Sequence, residues 1–241
     1  MAANPAHPTE SIQIGDIAIA VQRKPIKNIN LKVCPPDGRV RISAPQHVDL
    51  DTLRHLAIAK LPWIQRHQRR WAERSQRLPQ QYVSGETVCL RGQPYPLQIV
   101  PTDTKPQVVL TNRDRVCLWV PAHYDRDQRL AVLRDWYRQH LKADIPAIVE
   151  RWEPTMGVRV REWRIKCMKT RWGTCNVRAG RIWLNLALAE MPPPCLEYVV
   201  VHEMTHLLER SHGERFKRLM DGFLPDWRQR KADLNRHPLT F

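Results

Sequence analysis

Apolar and polar residues alternate with a period of two along three segments in the first part of the chain, residues 12–20, 26–34 and 39–44. This alternation is typical of strands that bury one face. The Asp37-Gly38 pair between the last two segments is a favoured hairpin turn. The pattern therefore predicts a small sheet near the start of the chain.

A second group of short strand-like segments follows at residues 86–90, 95–100, 107–110 and 115–120, and one more lies at 158–166. Gly85 and Gly92 supply turns between them. Residues 169–175 are predicted to form a tight loop. Residues 181–186 are predicted to form a strand that leads into the next helix.

Apolar residues three and four positions apart predict helices over residues 49–77, 125–152, 214–223 and 226–235. Asp49 or Asp51 can cap the first helix, and Pro62 should kink it. The residues predicted for its inner side are Leu53, Leu56, Leu61, Ile64 and Trp71. The residues predicted to cover the back of the helix that carries residues 202–206 are Phe216, Leu219, Phe223 and Trp227.

Strands followed by helices, with links of hairpin length, predict an α+β fold whose sheets are mostly antiparallel. We assign residues 1–10 to a disordered N-terminus, residues 11–125 to a β-rich N-terminal region with one long helix, and residues 126–241 to a catalytic lobe. The length is equally compatible with one continuous domain. No internal repeat is evident in the sequence.

The most informative motif is His-Glu-Met-Thr-His at residues 202–206, with a third histidine at position 212. Three prolines at 192–194 precede it, where a helix can begin. The β-branched residues at 199–201 would also suit a strand. In a strand, however, positions four apart lie about 13 Å from each other, whereas in a helix they share one face. Only the helix makes the motif chemically meaningful.

On such a helix, His202 and His206 can each donate an imidazole nitrogen to zinc, while Glu203 can hold and deprotonate a water molecule. A third ligand has to return to the ion from beyond the helix. His212 is the predicted ligand, because Ser211 and Gly213 beside it allow the chain to double back. The alternatives left open are Glu209, Glu214 and Asp221.

The formal net charge of +15 is the second strong signal in the 241-residue chain. Residues 159–181 contain eight Lys or Arg against one acid, and residues 22–77 contain thirteen against four. Such an excess favours polyanionic or acidic partners, including nucleic acid, and it is equally compatible with a generally basic solvated surface.

The six cysteines are scattered without a Cys-x-x-Cys pair, which fits reduced thiols better than a disulfide framework. The spacing of Cys167 and Cys175 matches no common zinc module. No segment resembles a secretory signal or a membrane span. We therefore expect a cytoplasmic protein without membrane contacts, and the sequence does not indicate its oligomeric state.

The chain resembles the YgjP-like metallopeptidase domain, a family of predicted metal-dependent hydrolases allied to SprT-like and minimal gluzincin-type zincins. The matching segments are residues 169–175, 182–185, 198–206, 212–216 and 224–227. The resemblance implies a zincin-like catalytic lobe with the HExxH motif on a helix. It also implies His202, His206 and His212 as metal ligands and Glu203 as the general base.

In zincins, a strand beside the cleft pairs its free edge with an extended peptide, and we expect residues 181–186 to provide that strand. Arg171, Trp172 and Asn185 are therefore candidate substrate-binding residues. Trp172 is also compatible with a packing role, and Arg171 with an ion pair.

These features predict a zinc-dependent hydrolase of the metallopeptidase type, although another divalent metal is also compatible with the ligands. One alternative is a metal-dependent phosphohydrolase that acts on nucleoside triphosphates, suggested by the basic residues at 159–181. A second is a nucleic-acid-associated protease, suggested by the overall charge. The expected substrate is accordingly a peptide or a nucleotide.

Overall fold

The computed structural model describes residues 10–34, 37–75, 80–112 and 114–237, and the side chains among them except those of residues 70–75. The disorder predicted for the N-terminus falls on residues that lie almost entirely outside this range, and the Trp71 side chain lies outside it too. The chain divides into two compact units, Met1–Pro79 and Gln80–Phe241.

The first unit is a four-stranded sheet followed by two helices. Its elements are β1 (Glu10–Ile14), β2 (Ile17–Arg23), β3 (Asn30–Cys34), β4 (Arg39–Ala44), α1 (Leu50–Ala59) and α2 (Leu61–Ser75). The strands lie in the order β1-β2-β4-β3. Ile19, Val21, Ile42 and Leu53 are fully buried in a core that these elements share.

Two predicted elements of this unit are each divided in the structure. The predicted strand over 12–20 is a hairpin of β1 and β2, because Gly15 adopts a φ of 55° that reverses the chain. The predicted long helix over 49–77 is two helices that meet at Lys60. Pro62 lies in the first turn of α2, where its missing N–H leaves no hydrogen bond unmade. Asp49 caps α1 as expected, accepting a hydrogen bond from Thr52 N at 2.6 Å.

The second unit begins with another four-stranded sheet and a long helix. These elements are β5 (Thr87–Leu90), β6 (Gln93–Pro101), β7 (Gln107–Thr111), β8 (Arg115–Val120) and α3 (Arg126–Met156). Asp125 caps α3 by accepting a hydrogen bond from Gln128 N at 2.9 Å. Proline at 146 does not end the helix, since α3 continues to Met156.

The same arrangement of four strands occurs in both units. The second sheet has the order β5-β6-β8-β7, which repeats β1-β2-β4-β3. In each, two antiparallel hairpins are joined by a central parallel pair, with Ile19 beside Val40 in one and Leu97 beside Val116 in the other. All four of these residues are buried. The structure therefore contains an internal repeat that is not evident in the sequence.

The remaining elements form a small third sheet and a helical segment. They are β9 (Glu162–Lys166), β10 (Gly173–Asn176), β11 (Arg181–Asn185), a 3-10 helix (Leu186–Glu190), α4 (Pro193–Thr205), α5 (Glu214–Phe223) and α6 (Trp227–Arg236). The strand order is β10-β11-β9. Because β10 pairs with β11, residues 173–176 are a strand rather than part of the predicted loop.

The division at residue 79 differs from the predicted boundary after residue 125. The reason is packing, since Val88 and Leu118 of the second sheet share one core with Leu133 of α3 and Val200 of α4. The strands of residues 87–120 therefore belong with the helices that follow them. The mixed α+β class is confirmed, and five of the eight strand pairs among the described residues are antiparallel. Among the described helices, none combines the length and the apolar character needed to cross a bilayer.

Candidate metal centre

Helix α4 carries the first two histidines at its C-terminal end. Pro192 precedes the helix, and the prolines at 193 and 194 occupy its first turn, as predicted. Val199, Val200 and Val201 are all buried, so tertiary packing holds these β-branched residues in a helix. His202 lies in the last turn and His206 caps the helix with φ −64° and ψ −19°, which keeps the helical direction. The two imidazole rings are 5.0 Å apart, centre to centre.

The chain turns back after α4 and brings His212 to the same place. The Glu209 carboxylate stabilises this turn by accepting hydrogen bonds from Ser211 N at 3.0 Å and Ser211 Oγ at 2.9 Å. As a result, His212 Nε2 lies 3.0 Å from His202 Nε2. One nitrogen from each of His202, His206 and His212 lies within 4.8 Å of the others.

The protonation of these rings suits metal binding. His206 Nδ1 lies 3.1 Å from the carbonyl oxygen of Glu209, and a hydrogen bond donated there leaves Nε2 free to act as a ligand. Burial, together with His206 and His212 nearby, lowers the pKa of His202 to about 3. The pKa of His212 is lowered as well, first by burial. Both rings are therefore neutral at pH 7, which is the form that coordinates a metal.

The donor set fits a divalent ion such as zinc. Two imidazole nitrogens on a tetrahedral zinc are roughly 3.3 Å apart, which is close to the separation of the His202 and His212 Nε2 atoms. The Nδ1 atom of His202 is buried without a hydrogen-bond partner among the described groups. An ion would bind at the other ring nitrogen, Nε2, which lies 3.0 Å from His212 Nε2.

Phe216 of α5 supports all three histidines. It is buried, and the centre of its ring lies 4.9 Å from that of His202 and 4.8 Å from those of His206 and His212. Tyr198, one turn before His202, makes an edge contact with the His202 ring at 5.7 Å. Phe216 was predicted to cover the back of α4, and its contact with all three rings was not predicted.

The carboxylate of Glu203 is buried beside the histidines. Its side chain is 5% exposed, and burial raises its pKa to about 8, partly offset by Arg171. It packs directly on Gly173 of β10. A Cβ atom at position 173 would lie 2.6 Å from Glu203 Oε1 and 2.8 Å from its Cγ. The Glu203 carboxylate can therefore occupy this position only because Gly173 has no side chain.

The predicted substrate residues do not all reach the cavity of about 650 Å³ that contains this site. Arg171 and Trp172 line it. Asn185 does not, because it is fully buried and binds backbone: its Nδ2 donates to the carbonyl oxygens of Met168 and Arg171, both at 2.7 Å. The assignment of Asn185 as a substrate contact is corrected accordingly. Asn185 instead positions the loop that carries Arg171.

The alternative metal ligands are engaged elsewhere. The Glu209 carboxylate binds Ser211, and Glu214 pairs with Lys217 at 2.5 Å. Asp221 accepts a hydrogen bond from Trp227 Nε1 at 2.8 Å and pairs with Arg228. Among the described residues, the three histidines form the one group of His, Cys, Asp or Glu side chains whose ligand atoms converge in this way.

In this α+β unit, a helix and the turn after it bring three histidines together. Such a cluster is typical of proteins that bind a metal ion. The model of the YgjP-like metallopeptidase domain matches residues 27–237, so the chain belongs to the YgjP-like family. The family makes this a metallopeptidase-type hydrolase domain and implies a divalent metal.

Among solved structures, two chains match this one. The crystal structure of the metallopeptidase zymogen of Pyrococcus abyssi abylysin is 21% identical, covers 38% of this chain and 90% of its own, and gives a TM-score of 0.34. No curated protein matches the chain.

Proposed function

We propose that this protein is a zinc-dependent peptidase in which His202, His206 and His212 hold the metal and Glu203 is the general base. The observation that carries the proposal is the placement of a buried carboxylate beside three converging imidazoles in one cavity. Three imidazole ligands suit zinc and leave it one open coordination position. When bound, the ion supplies Lewis acidity that polarises the scissile carbonyl and acidifies water.

Glu203 has the properties of a group that both accepts and returns a proton. Its carboxylate oxygens can take a proton from the attacking water and later donate it to the leaving amine nitrogen. In the metal-free cavity burial raises the pKa of Glu203 to about 8, and the positive charge of a bound ion would lower that pKa and favour the carboxylate form that accepts a proton. Arg171 at the cavity wall favours the charged form and so limits this rise.

The outer edge of β10 is the proposed docking edge for an extended peptide. The sequence predicted residues 181–186 for this role, but β11 is the central strand and both of its edges are already paired. β10 pairs with β11 on one side and is the terminal strand on the other. Gly173, Thr174 and Cys175 line the cavity, so a peptide added to this edge would lie beside Glu203.

Removal and return of the metal tests the proposal. We expect hydrolysis of casein or of a fluorogenic peptide library to stop after dialysis against a chelator and to return with one equivalent of zinc. Mass spectrometry of the purified protein should show one zinc per chain. Full hydrolysis by protein that has been verified as metal-free would exclude this function.

A phosphohydrolase acting on nucleoside triphosphates is the second candidate. It is favoured by Arg171, Arg210 and Lys231, which line the cavity. A ligand set of imidazoles, rather than carboxylates, speaks against it. Phosphate release from a nucleoside triphosphate panel, measured beside peptide hydrolysis, separates the two reactions. Cleavage of proteins bound to nucleic acid stays a prediction from the basic charge alone.

Gly173→Ala should reduce peptide hydrolysis without removing the metal. The added Cβ would push the Glu203 carboxylate out of its position, and a displacement of about 1 Å can lower the rate roughly 100-fold. Gly222→Ala is the matched control, since a Cβ at position 222 meets no atom within 4 Å. The measurements are kcat/KM and zinc content. Equal activity of both variants would contradict the role given to Gly173.

A further inference from the structure

The cavity wall holds an excess of positive charge. Arg171, Arg210 and Lys231 line the cavity, and Glu203 is its only acidic side chain among the described residues. The three cations come from separate parts of the chain: the loop before β10, the turn after α4, and α6. Their convergence on one cavity is a property of the fold, because no two of them are neighbours in sequence.

These three cations lack the carboxylate partners that their neighbours have. Within the described residues, none of the three has an Asp or Glu oxygen within 4.0 Å. On α6, by contrast, Arg228 pairs with Asp221, and Arg230 pairs with Glu197 at 2.7 Å and Asp226 at 2.8 Å. The local acids are therefore already used, and the cavity cations remain available to a ligand.

A bound divalent metal would add further positive charge to the same cavity. Its walls exclude part of the solvent, and clefts lined by one sign of charge concentrate ligands of the opposite sign. A carboxylate is the anion that a peptide substrate carries. Since Arg171, Arg210 and Lys231 are all exposed, their attraction should weaken as salt is added.

We propose that the cavity selects peptides that carry a carboxylate close to the scissile bond, so that the substrates are acidic segments. This inference rests on the proposed peptidase function and specifies its substrate class. The carboxylate comes either from an Asp or Glu side chain or from the C-terminus of the peptide. Lys231 and Arg210 are the specificity-determining residues, and they act on binding of the substrate rather than on the chemical step.

Matched peptides test the selectivity of the zinc-loaded protein. The acidic peptides carry Asp or Glu on one side or the other of the scissile bond, and their neutral partners carry Asn or Gln at the same position. Each peptide is made once with a free and once with an amidated C-terminus. We expect KM to be about 10-fold lower for the peptides with a carboxylate at low ionic strength, with kcat nearly unchanged. The difference should shrink in 0.5 M salt. The amidated series separates a side-chain carboxylate from a terminal one.

Two variants assign the effect to the cavity. Lys231→Gln and Arg210→Gln should each raise KM for the acidic peptides roughly 3- to 5-fold more than KM for the neutral peptides. Zinc per chain is measured in each variant, because Lys231 also lowers the pKa of His202 and His212. Lys142→Gln is the matched control, because Lys142 is an exposed residue of α3 outside the cavity, and its loss changes the net charge equally. Arg171 is not used as a probe, since it also influences Glu203.

The outcomes separate this inference from the function on which it rests. Equal kinetics for acidic and neutral peptides, or an equal loss in Lys142→Gln, would overturn the carboxylate selectivity and leave the peptidase intact. Phosphate release from nucleoside triphosphates without any peptide cleavage would overturn the peptidase itself. A preference for acidic peptides that is weakened in Lys231→Gln and Arg210→Gln but kept in Lys142→Gln would support the carboxylate selectivity and the peptidase function.

Discussion

Glu203→Gln should lower kcat for peptide hydrolysis by about 10²- to 10⁴-fold while the protein keeps its zinc. The amide has the shape of the carboxylate and fits against Gly173, but it cannot take a proton from water. The histidine cluster does not include this side chain, so metal content should not change. The measurements are kcat and zinc per chain. Turnover of every tested substrate at the wild-type rate would remove Glu203 from the mechanism.

The same substitution has an opposite effect on stability, which serves as its folding control. Burial raises the pKa of Glu203 from 4.5 to about 8, so the contribution of this side chain to the stability of the metal-free protein is fully present below pH 4.5 and is lost as the pH rises through 8. The neutral amide has no such dependence. Metal-free Glu203→Gln should therefore exceed the wild type in free energy of unfolding at pH 9 and equal it at pH 4. Urea unfolding at the two pH values measures this difference.

His212→Ala should weaken zinc binding by more than about 100-fold. Loss of a residue that only orients a ligand costs 10- to 100-fold in metal affinity, and His212 is proposed as a direct ligand. Competition with a chromophoric chelator measures the Kd. Activity should fall in parallel at zinc concentrations below the new Kd and recover in part above it.

Glu209→Gln is the control for this experiment, since Glu209 was one of the alternative ligands that the sequence left open. The Glu209 carboxylate binds Ser211 and shapes the turn, so its loss should change zinc affinity far less than loss of His212. A larger effect at Glu209 than at His212 would show that the third ligand has been assigned to the wrong residue.

The clustering of the three histidines could be predicted from sequence because they lie close together in the chain. His202, Glu203 and His206 lie within five consecutive residues, and helical geometry alone sets the spacing of their side chains. His212 follows after a short turn, so few alternatives compete with it. The cap at Asp49, one of the two predicted for the first helix, was equally readable, since an N-cap depends only on the three residues that follow it.

Features that depend on distant partners could not be predicted in this way. The alternation of residues 181–186 indicates a strand but does not show that β9 and β10 pair with both of its edges. In the sequence, Asn185 is a polar residue near the predicted site. The sequence does not show that its side chain is used to bind the backbone at positions 168 and 171. Arg210 and Lys231 carry no local signal, because exposed cations are common throughout this basic chain.

The repeated sheet was missed for a related reason. The two four-stranded arrangements place different residues at corresponding buried positions, such as Ile19 and Val40 in one and Leu97 and Val116 in the other. Strand order and direction recur, while residue identities do not. A search for recurring residue identities cannot find a repeat that is preserved only in the apolar character of buried positions and in the pairing of the strands.

The contact between Gly173 and Glu203 also offers a way to sort sequences. HExxH is a short pattern, and many chains that contain it have no catalytic site. In this fold, any side chain at the position of Gly173 would occupy the space that the Glu203 carboxylate needs. A relative that keeps all three histidines but replaces this glycine would be expected to bind metal without catalysis, and one residue on a neighbouring strand would then distinguish metal-binding pseudoenzymes from active members.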